Sequence, residues 1–204
     1  VARVRLSVAE RREDLLRAAI EQIEARGVAA VRIADVAAVL GVSNALVLYH
    51  FSTKEKLVAA AFRYAAEADL THLGKLLGRR SPALRRLRSA VRWYAPTGQA
   101  KGWRLWIEGW AVSLRDPALR EVAGDLDRRW KAAITEVIAE GVAAGEFECP
   151  DPSGTALRLT ALLDGLAVQM TAYDGVSRTR AEQWVDAALA GELGLERTAL
   201  TGPR

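Results

Sequence analysis

The stretch GVSNALVLYHFSTKEKL, residues 41–57, sets polar and apolar side chains on a helical segment too short to bury much of a core. Its residue types suit recognition of double-stranded DNA. An asparagine carboxamide pairs with an adenine edge, small residues permit close approach, and apolar groups meet thymine methyls. Tyrosine and histidine donate to phosphate oxygens, and a lysine beside a helix N-terminus adds its charge to the helix dipole. Asn44, Ala45, Leu46, Leu48, Tyr49, His50 and Lys54 are the candidate contacts, while Val42, Val47 and Phe51 are expected to pack inward. The competing reading is a short packing helix with a solvent-exposed imidazole.

A second constellation is aromatic. Trp103, Trp106, Ile107, Trp110 and Leu114 fall at i, i+3, i+4, i+7 and i+11, one stripe of a helix. Such a stripe is either bulky core or the wall of a pocket. Gly102 and Gly109, placed in the same expected helix, each cost it about 1 kcal/mol relative to alanine, which points to a close approach or to looseness. Trp93, Tyr94, Trp130, Leu163 and Met170 would complete a small-molecule pocket. Aromatic walls with Glu108 or Asp164 suit a quaternary ammonium. Against a cation, Leu70 to Ile107 holds nine Lys/Arg and no acid, a charge run that suits an anion instead, and an apolar ligand stays open.

Other chemistries find no support. There is no glycine-rich phosphate loop after a strand, no G-x-S-x-G and no H-E-x-x-H, and Cys149 precedes Pro150 without a nearby histidine, so no catalytic residues are expected. With one cysteine and two histidines, neither an intramolecular disulfide nor a metal site is expected, and no cofactor is implied. No apolar run reaches the roughly 20 residues needed to span a bilayer, and no secretory start is visible, so no membrane partner and a cytoplasmic location are expected. Charge is unevenly divided. Residues 1–107 carry 19 Lys/Arg against 9 Asp/Glu, a net of +10, and residues 108–204 carry 10 against 16, a net of −6. One half is suited to face a polyanion.

The elements that must position these residues are helices. Ser7-Val-Ala-Glu10 is a capping box, followed by a one-sided apolar pattern that Gly27 ends, which predicts a helix over 8–26. A helix over 33–40, a Gly41-Val42 turn and a Ser43-capped helix of about seven residues make helix, turn, helix. Ser52-Thr-Lys-Glu55 is expected to cap a fourth helix running towards Leu77. Ser81-Pro82, Asp116-Pro117 and Asp151-Pro152 predict helices over 82–95, 117–144 and 152–173, Thr179-Arg-Ala-Glu182 opens a last one to about 193, and one more lies between Gly98 and Asp116. No period-two alternation predicts a strand. The fold class is all-α with about nine helices: a DNA-binding helix-turn-helix domain over 1–53 and a ligand-binding and dimerisation domain over 54–204.

Helix eight carries too much apolar surface for one stripe. A two-fold interface of the last two helices, with Leu159, Leu162, Leu166, Trp184 and Ala188, would cover it and place two recognition helices on one face of DNA.

The run LLRAAIEQIEARGVAAVRIADVAAVLGVSNALVLYHFSTKEKLVAAA resembles the N-terminal DNA-binding domain of the TetR family of transcriptional regulators across residues 10–62, with A-R-G, D-x-A, G-V-S and F-x-x-K-E-x-L at the family spacing. The resemblance implies operator contacts from Arg32, from Ser43 to His50 and from Lys54. Two departures stand out: Val31-Arg32 replaces the usual threonine or serine pair, and Leu48 replaces a tyrosine, whose phosphate contact Tyr49 is placed to assume. Residues 103–170 are similar to the C-terminal domain of the betaine-regulator (BetI) type, which implies a pocket among the middle helices and a dimer made by the last two. The expected function is a homodimeric, ligand-responsive repressor that binds a palindromic DNA operator and is released by a small-molecule effector. The alternative is an architectural DNA-binding protein or a regulator without small-molecule control.

Overall fold

The computed structural model describes residues 7–96 and 102–196. Among the described residues the chain forms nine helices and no strand: α1 (Val8–Arg26), α2 (Ile33–Leu40), α3 (Asn44–Phe51), α4 (Lys54–Leu77), α5 (Ala83–Tyr94), α6 (Trp103–Ser113), α7 (Pro117–Ala143), α8 (Pro152–Thr171) and α9 (Arg178–Glu192). No single helix among them is long and apolar enough to cross a membrane.

The caps explain most of the boundaries. Ser7 and Glu10 exchange the two hydrogen bonds of a capping box at the start of α1. Asp116 Oδ1 accepts from the Ala118 and Leu119 N–H groups, at 2.9 and 3.1 Å, and Asp151 Oδ1 accepts from Gly154 N–H at 2.9 Å, so α7 and α8 open at the expected Asp-Pro pairs.

Three caps and one helix boundary differ from expectation. At α4 the capping side chain is Thr53, whose Oγ1 accepts from Lys56 N–H at 3.2 Å; Ser52 instead closes α3 with a φ of 65°. At α5 Ser81 makes no cap, because the Glu146 carboxylate takes the Ala83 and Leu84 N–H groups at 2.9 and 3.1 Å, a charged acceptor displacing a hydroxyl. Ser177, not Thr179, caps α9, so that helix begins one residue after Ser177. Gly102 precedes α6 with a φ of 99°, a conformation glycine adopts freely, rather than lying within the helix. The expected start of that helix at Gly98 lies outside the described residues.

Packing divides the chain into two compact units, Val1–Ala68 with Arg104–Asp125, and Asp69–Trp103 with Leu126–Arg204. The helix-turn-helix expected over 1–53 lies in the first, and the remainder contributes to both. In the first unit Leu15, Val36, Val47, Leu57 and Ala61 are fully buried, and Tyr64 of α4 donates to Glu13 of α1 at 2.6 Å while accepting from Arg17 at 3.3 Å. The second unit closes around Leu73, Leu87, Ile138, Leu163, Leu189 and Leu193. There α8 packs on α9, and Glu192 of α9 accepts from Thr155 at 2.9 Å and from Arg158 at 2.6 Å.

Candidate DNA interface and effector site

The chain turns through 114° between α2 and α3, within the range of a helix-turn-helix. Gly41 makes that turn possible with a left-handed φ of 62°. Ser43 Oγ then accepts from Leu46 N–H at 3.2 Å and starts α3. Val47 and Phe51 face the core, with Val42 half-buried, so the opposite face of α3 is free to meet a partner. Ser43, Asn44, Ala45, Leu48 and Tyr49 are exposed, Tyr49 by 76%, and Leu46 and His50 are half-buried at the flanks. The His50 ring lies 5.3 Å from Tyr49 and 6.1 Å from Phe51. Burial, then the charges of Arg12 and Arg11, hold the His50 imidazole below its ordinary pKa, which favours its neutral form.

Arg32 is exposed at the N-cap of α2, its own N–H donating to Asp35 Oδ2 at 3.0 Å. Lys54 is placed differently from a free phosphate clamp: its Nζ donates to the Ala29 carbonyl at 2.9 Å, on the turn between α1 and α2. An ammonium has three donors, so this bond leaves two for phosphate.

The nine residues expected to hold a ligand are shared between the two units. Trp106, Ile107 and Trp110 belong to the first, where Trp106 is buried with its ring centroid 5.9 Å from that of Phe62. Gly109 is explained by the same neighbour: a Cβ there would lie 2.5 Å from Phe62 Cε1, so α6 needs glycine for the close approach of α4. Leu114, the end of the expected stripe, is 70% exposed, one residue beyond the end of α6. Glu108 belongs to the first unit, apart from the ring cluster of the second. Its carboxylate accepts from Val28 N–H at 3.1 Å.

In the second unit Trp93, Tyr94, Trp103 and Trp130 come together. Tyr94 meets Trp103 edge-on at 4.9 Å and Trp130 at 4.0 Å, and Trp93 stacks on Trp130 at 6.3 Å. Leu163 is in the adjoining core, and Met170 packs against it. Tyr94 OH donates to Asp164 Oδ1 at 3.0 Å. Burial raises the Asp164 carboxyl to a pKa of about 6, against the opposing hydrogen bond from Tyr94, with Asp127 adding to the rise and Lys131 opposing it. Burial and then Asp164 also hold the Tyr94 phenol protonated, well above its ordinary range, with Asp69 and Asp127 contributing. Burial is the larger cause of both shifts; the smaller contributions of Asp164, Asp69 and Asp127 mark carboxylates near the rings, a charge that complements a cation at aromatic faces. Some of the arginines that argued for an anion are occupied elsewhere. Arg86 donates to the Leu77 carbonyl at 2.9 Å and pairs with Glu140, and Arg92 lies 3.8 Å from Asp186.

Two residues of these arrangements were not singled out from sequence. His72 stacks on Trp93 at 4.5 Å, and Phe62 supports α6. Both lie on α4, whose apolar pattern reads as ordinary core, so only the partner residues carried a signal.

Residues 15–61 match the family described as bacterial regulatory proteins, tetR family, and residues 83–194 match BetI-type transcriptional repressor, C-terminal. The second match alone spans more than half of the chain. The chain belongs to the TetR family. Within it, the HTH-type transcriptional regulator BetI of Pseudomonas aeruginosa is 29% identical over 164 residues, covering 76% of this chain and 79% of that protein. BetI of Ectopseudomonas mendocina is 28% identical over 191 residues, covering 89% and 84%. A transcriptional regulator from Saccharomonospora viridis, solved in complex with choline, superposes with a TM-score of 0.83 at 31% identity over 91% of this chain and 98% of that one. A TetR-family regulator from Rhodococcus sp. gives 0.78 at 28% identity over 91% and 100%. As a member of the TetR family the protein is a DNA-binding transcriptional regulator and not an enzyme.

Of the residues expected from the sequence at a dimer interface, Leu159, Leu162, Leu166, Trp184 and Ala188, the single chain buries two and leaves three at least partly exposed. Leu159 and Leu166 are 3% and 4% exposed and belong to the core of their own unit, and Leu162 packs against it, because these positions share the inward face of α8. The outward face carries Leu157, Ala161 and Gly165, spaced by four residues. On α9, Trp184 is 46% exposed and Ala188 is half-buried.

Proposed function

We propose that this TetR-family regulator is a homodimeric repressor that binds a palindromic operator and is released by a quaternary ammonium compound of the choline class. The observation that carries the effector class is the ring cluster of Trp93, Tyr94, Trp103 and Trp130 with the Asp164 carboxylate bonded to Tyr94. A quaternary ammonium has no N–H to donate, so it is recognised by aromatic faces and by negative charge, and this cluster supplies the residue types for both. The similarity to a regulator solved with choline supports the same class.

The dimer rests on α8 and α9. A Cβ at Gly165 or Gly191 would meet nothing within 4 Å, so packing within the chain does not require glycine at either place. Each costs its helix about 1 kcal/mol relative to alanine, and close approach of a second copy accounts for both. Two recognition helices related by a two-fold axis then read half-sites about one helical turn, roughly 34–36 Å, apart. Arg32, Ser43, Asn44, Ala45, Leu46, Leu48, Tyr49, His50 and Lys54 are the contacts we assign, with Asn44 reading base edges and Tyr49, His50, Arg32 and Lys54 holding phosphates. Release follows when bound effector changes the separation of the recognition helices, with the α3–α4 junction at Ser52 as hinge. That junction is a γ-turn of the rare positive-φ kind, closed by a Thr53 N–H to Phe51 carbonyl bond of 2.8 Å.

Calorimetric titration with choline and with its neutral isostere 3,3-dimethyl-1-butanol tests the effector class. Choline is expected to bind at least about tenfold more tightly, and Asp164→Asn to remove most of that difference. Because a cation favours the ionised carboxylate, choline affinity should be full above the Asp164 pKa of about 6 and fall as pH drops below it. The limit is about tenfold per pH unit. Equal binding of the two compounds, or a flat pH profile, would count against a cation in this cluster.

A further inference from the structure

Gly27 ends α1 with a φ of 79°, and a Cβ at this position would lie 3.0 Å from Glu108 Oε1. Glu108 sits there because it reaches from α6 to the next residue, accepting the Val28 N–H at 3.1 Å with Oε2. A charged acceptor on a partly buried N–H is among the stronger hydrogen bonds a protein makes. The neighbouring residue of α6, Gly109, is seated against the Phe62 ring of α4, which leaves no room for a side chain. Two consecutive residues thus fasten α6 to two different elements, the α1–α2 turn and α4.

The turn is held from a second side. Lys54, at the first position of α4, donates to the carbonyl of Ala29, the residue after Val28. Across the turn, Arg26 at the end of α1 pairs with Asp35 of α2 at 3.1 Å, and Arg32 stands at the N-cap of α2. One path from α6 to the DNA-binding face therefore runs through one carboxylate and a turn of six residues, 27–32, directly into α2 and the α3 that packs on it. It acts beside the hinge at the α3–α4 junction.

We infer that Glu108 is a positioning residue for operator recognition, a tether through which α6 sets the α1–α2 turn and hence the pose of the helix-turn-helix. Its part in effector release rests on the reading of the protein as an effector-released regulator; its part in operator binding does not. Glu108 touches neither DNA nor effector in this assignment, so its loss should change operator affinity and coupling while leaving effector affinity in place.

The test compares wild type, Glu108→Gln, Glu108→Asp and Glu108→Ala full chains, with operator binding followed by fluorescence anisotropy with and without choline, and choline binding to the free protein by calorimetry. Glu108→Gln keeps an acceptor for the Val28 N–H and is expected to stay within about threefold of wild type in every measurement. Glu108→Ala is expected to bind operator at least about tenfold more weakly without choline, to keep its choline affinity within about threefold, and to show a smaller choline effect on operator binding than wild type. Glu108→Asp keeps the charge but loses the reach, and should follow Glu108→Ala; it decides the matter if the alanine protein does not fold. Operator affinity in Glu108→Asp and Glu108→Ala equal to that of wild type overturns the inference, whether or not choline acts. A wild type that choline does not release contradicts the effector reading, and the operator arm still decides the tether.

Discussion

Asn44 stands at the first position of α3, exposed, with the capping duty left to Ser43. Its carboxamide is free for a base edge, so Asn44→Ala should relax the preferred operator sequence, by about 1–3 kcal/mol if the contact is bidentate. A selection from random DNA that returns the same consensus for wild type and variant would move specificity to Leu46 or Tyr49. His50 has a different signature. Burial and the neighbouring Arg12 and Arg11 lower its pKa in the free protein, whereas a phosphate would raise it, so operator binding takes up a proton. Affinity should therefore rise as pH falls below the ordinary histidine value of 6.5, and His50→Ala should flatten that rise. The same lowered pKa works oppositely on folding: the contribution of neutral His50 to stability is present above 6.5 and lost as pH falls through its native value. Binding and stability measured over the same pH range should have slopes of opposite sign.

Among the elements, those defined by local chemistry were legible in the sequence. The capping box at Ser7, the Asp-Pro pairs before α7 and α8, and the Gly41 turn are short-range signals, and α1, α2 and α3 begin and end within a residue of expectation. Contacts from distant chain were not legible: Glu146 reaching the start of α5, Glu108 reaching Val28, and Phe62 filling the space beside Gly109 depend on tertiary packing that no spacing announces. The aromatic stripe was legible as composition only, since its members fall in both units and Leu114 turns to solvent. On α8 the sequence shows apolar excess but not which side is inside. Burial separates the two sides, with consequences that differ. Leu159→Ala should lower stability by about 2–5 kcal/mol, as for a leucine lost from a packed core. Leu157→Glu, at a position 52% exposed in the single chain, should shift sedimentation from dimer to monomer with helix content retained. A Leu157→Glu protein that stays dimeric would put the interface elsewhere.

At the scale of the whole molecule, a regulator is a coupling between two ligands, and coupling is reciprocal. If choline loosens the operator, the operator must loosen choline by the same factor, and couplings of this kind are typically about 5- to 150-fold. A ligand that bound both states equally would release nothing, however tight its binding. The basic first half of the chain adds steep salt dependence to operator binding, so both titrations belong at one ionic strength. The measurement that bears most directly on the account is choline affinity determined with and without saturating operator, beside operator affinity determined with and without saturating choline. The account requires both ratios to exceed about fivefold and to agree; choline that binds free protein and operator complex equally well would contradict it.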